Sequence, residues 1–325
     1  MQSYALGVVG AGAIGALHVE TALSLPEARL AAVCDLRPEP LEHASLLGAH
    51  IYSDYRSMLQ NERLDGIVVC TPPSTHEEIA THAVRCNADV LCEKPLAIDT
   101  HAAIRMLRSA KRAGRVLMLA SKFRYVEGVA AARELLREGT LGAIRHAEIV
   151  FTSNVDMRSR WNSDPRQSGG GVVIDNGSHA ADICRYLFGP IVSVTAVAYT
   201  RTPGLAVEDS AYLYLGTGDG TGITVDLSWS LERRLPHYIR VYGERGRMTV
   251  GWAETTLSLN PLITPTRIAP QYSKVEAFRA LQRDFIGAAS GRGAARIDAA
   301  DALASVEVID AAYRAIREGG RRAVA

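Results

Sequence analysis

Residues 4–15 read Tyr4-Ala5-Leu6-Gly7-Val8-Val9-Gly10-Ala11-Gly12-Ala13-Ile14-Gly15. Six apolar or small residues suit a strand buried on both faces. The three glycines that follow have distinct uses. Gly10 allows a tight turn, Gly12 lets backbone approach a pyrophosphate, and Gly15 allows close packing of helix on strand. Residues 16–25 then show helical spacing up to Pro26, so Ala13 and Ile14 fall at the start of a helix whose free N–H groups favour phosphate. A second strand over 30–34 ends at Asp35, 20 residues past Gly15, the spacing of a carboxylate that accepts from the adenosine ribose 2′-OH. A glycine-rich turn in some other α/β protein leaves Asp35 unexplained. The segment reads as a dinucleotide site that prefers NAD, because Asp35 sets a negative charge where a 2′-phosphate would lie; Arg37, two residues on, allows some use of NADP.

Strands and helices alternate up to about residue 120. Helices are expected at 39–47, 55–60, 75–87 and 99–113, and strands at 66–70, 89–92 and 116–120. The strand over 66–70 ends at Thr71-Pro72-Pro73, where further cofactor contacts are expected, with His76 just beyond. After 120 the pattern changes. A helix at 126–138 and a strand at 144–154 lead into a polar loop at 156–171 and a helix at 175–188. Six short β-rich runs follow (191–200, 208–216, 221–230, 236–243, 246–251 and 254–259), as in a mostly antiparallel sheet, and helices at 274–289 and 298–317 close the chain. The expected class is α/β, with a doubly wound domain over 1–122 and a second domain with a large open sheet over 123–325, whose last helices can pack back on the first domain.

The balance of 36 Lys and Arg against 35 Asp and Glu gives a net charge of +1. That offers no electrostatic case for nucleic acid or an anionic membrane. No apolar run reaches the roughly 20 residues of a membrane helix, and the chain opens on its first strand, so no signal peptide is expected. Cys34, Cys70, Cys86, Cys92 and Cys184 are an odd set without CxxC spacing; they suit reduced thiols in a cytoplasmic protein.

Two further stretches carry chemistry. Val90-Leu91-Cys92-Glu93-Lys94-Pro95 places one of only four lysines directly after an apolar strand. Lysine is a compact three-donor ammonium, which the planar guanidinium of arginine cannot replace. A surface lysine at a strand end is the plain alternative. Gly169-Gly170-Gly171 leads into Asp175 and His179, four residues apart and hence on one helical face. An imidazole with an ordinary pKa of about 6.5 can take an alcohol proton near neutral pH. Alternatively, Asp175 caps the helix and His179 is packed in the core. No second cluster of ligand-type residues supports a metal site.

In combination and order, the glycine-rich start, Glu93-Lys94-Pro95 after a strand, Arg124-Tyr125 after the next strand, and a glycine run before Asp175-x-x-x-His179 resemble the Gfo/Idh/MocA family (glucose–fructose oxidoreductase, inositol dehydrogenase, rhizopine catabolism) along essentially the whole chain. The resemblance implies an NAD(P)-dependent oxidoreductase with its active site between two domains. It assigns catalytic roles to Lys94, Asp175 and His179, with Lys94 and Glu93 at the cofactor and a cis bond at Lys94–Pro95. The implied substrate is a sugar, cyclitol or derivative, met by Lys94, Tyr125, Arg160, Trp161, Asn162, Asp175 and His179; a core tryptophan is an equal reading of Trp161. Asn176-Gly177-Ser178 departs from the more apolar residues of many relatives. A homodimer or homotetramer is expected through the second sheet, whose strands at 191–200, 208–216 and 221–230 are read as apolar on both faces. A cofactor-sensing regulatory protein and an NAD-dependent glycosidase of the same fold are the other classes that fit.

Overall fold

The computed structural model describes residues 3–261 and 264–324. The chain divides into two compact units, Met1–Lys122 with Val275–Leu303, and Phe123–Lys274 with Ala304–Ala325. The expected second domain is therefore interrupted, since residues 275–303 belong with the first.

In the first unit the order is β1 (Tyr4–Val9), α1 (Ala13–Ser24), β2 (Ala28–Cys34), α2 (Pro38–Leu46), β3 (His50–Tyr52), α3 (Tyr55–Asn61), β4 (Gly66–Val69), α4 (His76–Arg85), β5 (Asp89–Glu93), α5 (Thr100–Ala113) and β6 (Leu117–Ala120). The sheet is wholly parallel, in the order β3-β2-β1-β4-β5-β6. This is the arrangement of a dinucleotide-binding fold, with its switch point beside β1. Strands β1, β4, β5 and β6 are buried along their whole length, which is why they are apolar runs apart from Asp89 and Glu93 at the ends of β5. Aspartate side chains cap the starts of two of these helices, α3 through Asp54 and α5 through Asp99. Asp99 accepts from Ala102 N at the start of α5, and Gly114 ends that helix at φ 64°.

The second unit runs through α6 (Glu127–Arg137), β7 (Ile144–Thr152), α7 (Pro165–Ser168), α8 (Val172–Phe188), β8 (Ile191–Tyr199), β9 (Ser210–Thr217), β10 (Gly222–Ser228), β11 (His237–Gly243), β12 (Gly246–Gly251), β13 (Thr255–Leu259) and β14 (Thr266–Ala269). Helices α9 (Lys274–Ala289) and α10 (Ala299–Glu318) and strand β15 (Arg321–Ala323) follow. The nine strands lie in the order β14-β13-β12-β11-β7-β10-β9-β8-β15, antiparallel except for β7 with β10. Helix α8 covers β8, β9 and β10 on one face.

The opposite face differs from the expected apolar patch. Strands β8 and β9 do present Val197, Tyr199, Tyr212 and Tyr214 to solvent. On β10, however, the residues that alternate with buried Ile223, Val225 and Leu227 are Thr224 and Asp226. Asp226 pairs with Arg233, and Glu148 of β7 lies 4.0 Å from Arg240 of β11. These charges and the two tyrosines line a cavity of about 500 Å³. The face is mixed, with its apolar part confined to two strands.

Candidate active site

The glycine turn is fixed by close contacts. Gly10 has φ +88°, and a Cβ there would lie 2.8 Å from the carbonyl carbon of Cys70; at Gly15 it would lie 1.9 Å from Gly10 O. The end of β1, the end of β4 and the first turn of α1 are thus in backbone contact. Gly12 differs, since the nearest atom to a Cβ there is Arg37 Nη2 at 3.6 Å, leaving room above the turn. Helix α1 has neither a side-chain cap nor an acidic residue in its first turn. Its leading N–H groups, at Ala13 and Ile14, are left for an anion. Asp35 Oδ2 accepts from Ala11 N at 2.7 Å, and Oδ1 accepts from Arg37 N at 2.9 Å and Nε at 3.2 Å. Burial works to raise the Asp35 pKa, but the Arg37 side chain and these N–H groups hold it below the ordinary value. An open glycine at an uncapped helix start beside a fixed carboxylate fits the pyrophosphate and ribose of a dinucleotide.

Beyond β4, Thr71 accepts from Thr75 Oγ1 at 2.7 Å, and Pro73 opens a single 3₁₀ turn. His76, expected at the cofactor, is packed in the interior. It has no exposed surface; Nε2 lies 2.8 Å from Thr71 O, and Nδ1 lies 3.0 Å from Pro95 O. Burial holds its pKa low. Its side chain ties the end of β4 to the loop after β5. In that loop the Lys94–Pro95 peptide is cis and Lys94 is half-buried. Glu93, also expected at the cofactor, is 9% exposed and turned inward; its carboxylate meets His18 Nε2 at 3.0 Å and Lys94 N at 3.1 Å.

The second unit holds Asp175 and His179. Helix α8 begins at Val172, not at 175, so Asp175 is a first-turn residue and not the cap. One distant residue locks this helix start. Glu208 O accepts from Val172 N at 2.9 Å, while Glu208 Oε1 accepts from Gly171 N at 3.0 Å, Val173 N at 3.1 Å and Tyr313 Oη at 2.8 Å. The glycine run is required here, since a Cβ on Gly171 would lie 2.0 Å from Glu208 O and one on Gly170 1.9 Å from Tyr313 Oη. Asp175 and His179 are both half-buried. His179 stands edge-on to Phe123 at 5.0 Å and packs at 6.3 Å from Phe151. Gly177 points toward Leu227 and Ile309, and Ser178 bonds back to Ile174 O. The sequence departure at 176–178 is thus largely an interior matter; only Asn176 is half-buried, with Nδ2 at 3.5 Å from Phe151 O. Among the described residues no group of three or more His, Cys, Asp or Glu could hold a metal ion.

Sequence comparison is in keeping with this geometry. Residues 4–121 match an oxidoreductase family with an NAD-binding Rossmann fold, and residues 129–249 match the GFO/IDH/MocA C-terminal domain. The chain is 30% identical to inositol 2-dehydrogenase 2 of Saccharopolyspora erythraea, over 86% of this chain and 79% of that one. The chain belongs to the GFO/IDH/MocA family. A D-apiose dehydrogenase of Paraburkholderia graminis is 26% identical over 96% of this chain and 87% of its own. Among solved structures, GenD2 from gentamicin A biosynthesis, in complex with NAD, is 26% identical and superposes with a TM-score of 0.88 over 100% of this chain and 97% of that one. As a GFO/IDH/MocA oxidoreductase, the protein uses NAD.

The residues expected to face substrate are spread unevenly. Tyr125 is 6% exposed, at the end of the 3₁₀ turn Lys122–Tyr125. Arg160 is exposed and Asn162 half-buried in the loop before α7. Trp161 is 41% exposed in the same loop, which removes the reading of a core tryptophan. Sequence reading missed the aromatic group next to His179. Phe123 also packs 5.5 Å from Tyr238 and 6.0 Å from Tyr272, and Trp252 lies 4.4 Å from Tyr238. Tyr238 is wholly buried, and its hydroxyl has no hydrogen-bond partner among the described residues. These rings come from four separate stretches, so no local spacing could announce them.

Proposed function

We propose that this oxidoreductase transfers a hydride between NAD and a secondary alcohol or ketone carbon of a sugar, cyclitol or related derivative. The observation that carries the reading is His179 one helical turn from Asp175, both half-buried, on a helix whose start Glu208 and Tyr313 hold rigidly. An imidazole so placed exchanges a proton with a hydroxyl while the carbon–hydrogen bond changes. Bound NAD would supply the hydride acceptor in oxidation, and its reduced form NADH the hydride donor in reduction. His179 takes the hydroxyl proton in oxidation and returns it in reduction. Lys94 hydrogen-bonds the reacting oxygen and stabilises the negative charge that grows on it. Asp175 accepts from a neighbouring hydroxyl and so orients the ring. Tyr125, Arg160, Trp161 and Asn162 complete the substrate contacts, and Gly10, Gly12, Ala13, Ile14, Gly15, Asp35, Arg37 and Thr71 to Pro73 hold the cofactor. The relatives named for apiose and inositol dehydrogenation support the substrate class.

The test is a screen of sugars, cyclitols, sugar phosphates and nucleotide sugars with NAD, read as NADH fluorescence. Substrate-dependent NADH formation is expected with at least one polyol. No turnover on any class would favour a cofactor-sensing role and overturn the proposal. NAD is used in preference to NADP because Asp35 opposes a 2′-phosphate; a kcat/KM at least tenfold higher with NADP contradicts this. We also propose a cytoplasmic homo-oligomer formed through the open face of the second sheet, where Val197, Tyr212 and Tyr214 are each about half exposed. The cysteines are free thiols, and no described helix is long and apolar enough to cross a membrane.

A further inference from the structure

His18 lies in the second turn of α1 with no exposed surface. A buried polar side chain needs partners, and those of His18 specify where its proton sits. Nδ1 lies 2.8 Å from Gln282 Nε2, and the same amide nitrogen lies 2.9 Å from His18 O. A carbonyl only accepts, so Gln282 Nε2 gives it one hydrogen. The second hydrogen points to Nδ1, which must then offer a lone pair. The ring proton is therefore on Nε2 and is donated to Glu93 Oε1 at 3.0 Å. Turning the amide over would set its oxygen against the carbonyl, two acceptors with no proton between them. Phe278 closes the ring's other side at 4.8 Å. Gln282 Oε1 is buried and has no hydrogen-bond partner among the described residues. That arrangement is destabilising, and leucine or methionine would avoid it if packing were the only requirement.

Glu93 extends this restraint toward Lys94. Its second oxygen accepts Lys94 N at 3.1 Å, immediately before the cis peptide. Burial works to raise the Glu93 pKa, but the His18 hydrogen bond and the neighbouring Lys94 charge keep it below the ordinary value, so the group is a carboxylate at neutral pH. The other titratable groups that sense its charge are uncharged. Burial pushes the Cys70 and Cys92 thiols up and the His76 imidazole down. A buried carboxylate is costly unless it is hydrogen-bonded and offset by positive charge, and the His18 bond and the Lys94 charge both act in that direction.

We infer that His18, acting through Glu93, is a positioning residue for Lys94: the Gln282–His18–Glu93 chain aims the Lys94 backbone through the carboxylate that its N–H meets. This rests on the catalytic role proposed for Lys94. The test uses the full chain with His18→Leu, His18→Gln, Glu93→Gln, the double variant His18→Leu/Glu93→Gln, and Lys94→Ala. Three quantities are measured: hydrogen–deuterium exchange of the peptide over 90–98, NADH affinity by fluorescence, and kcat on the best substrate of the screen. With His18→Leu, exchange at Lys94 rises tenfold or more while β1 and β4 are unchanged. NADH affinity stays within threefold, and kcat falls at least tenfold with little change in KM. His18→Gln, which keeps an N–H for Glu93, recovers most of the loss. The double variant is no slower than Glu93→Gln alone, as expected of residues acting in series. Unchanged exchange at Lys94, or a His18 loss that adds fully to the Glu93 loss, overturns the inference. If His18→Leu does not fold, Gln282→Met serves instead and gives a smaller shift in the same direction; no shift again overturns it. If Lys94→Ala turns over like wild type, the catalytic reading of Lys94 fails, and exchange alone decides the positioning. If Lys94→Ala is inactive while the His18 variants match wild type throughout, only the positioning fails.

Discussion

His179 and Asp35 carry the sharpest expectations at the scale of single residues. His179→Ala should lower kcat by roughly 10²–10⁴, the span of general acid–base catalysis. It should also remove the acidic limb of the pH–rate profile for oxidation, because the base must be unprotonated and an ordinary histidine titrates near about pH 6.5; a limb that survives unchanged assigns the base elsewhere. At Asp35 the folded pKa is depressed. The charge, and any stability it confers, is therefore fully present above the ordinary carboxylate value of about 3.9 and is lost only as pH falls through the lower folded value. The ratio of NAD to NADP affinity should accordingly be the same at pH 7.5 and pH 9, where a 2′-phosphate, with a second pKa of about 6, is itself ionised. A ratio that changes across that range means that another group discriminates. These two residues and Lys94 stand out in the sequence because their signals are local: Asp35 at a fixed distance from the glycine turn, His179 one turn from Asp175, and Lys94 as a rare lysine before proline. His76 was singled out by a signal of the same kind. It stands near a strand end where ligands bind, but its partners, Thr71 O and Pro95 O, fix it inside, and one of them comes from a different strand's loop.

The helix that bears Asp175 and His179 shows what an element can hide. Its start was expected at 175, yet it begins at Val172, because its N-terminal N–H groups are satisfied from Glu208 and not by any neighbouring Ser, Thr or Asp. A cap supplied across 35 residues or more of chain leaves no mark in the local pattern. Only the glycine run hinted at it, and the hint concerned close approach. Glu208→Ala should cost about 1–2 kcal/mol of stability, as loss of a helix cap does, with Glu208→Gln costing less since an acceptor remains. Denaturant unfolding of the two variants checks this; equal losses would mean that the Oε1 contacts do not cap the helix. Gly171→Ala should be worse than either, because the Glu208 backbone must move to admit the new carbon. The short edge strands β3, β14 and β15 were missed because mixed segments of only three or four residues acquire strand geometry from pairing, not from propensity. β15, for instance, is an Arg-Arg-Ala segment held against β8.

On the scale of the whole molecule, the two architectures were readable from the change of pattern near residue 120. The return of residues 275–303 to the first unit was not readable to the residue. An amphipathic helix such as α9 shows that it has a face to bury, not where it is buried. The outer face of the second sheet follows the same rule: alternation along β9 exposed Tyr212 and Tyr214 as expected, while Asp226 and Arg233 paired to make the neighbouring strip polar. Light scattering at micromolar concentration should give a multiple of the 35.0 kDa chain mass, and Tyr214→Glu should shift it toward the monomer; a wild-type monomer removes the proposed interface. Hydride transfer assisted by Lys94 is tested most directly by the kcat of Lys94→Arg, measured as NADH formation on the best polyol substrate with NADH affinity followed in parallel. The guanidinium keeps the charge but cannot occupy the same compact donor position, so most turnover should be lost while NADH binding is largely retained. A variant that binds NADH and turns over near the wild-type rate would contradict the assignment of Lys94 to the catalytic group.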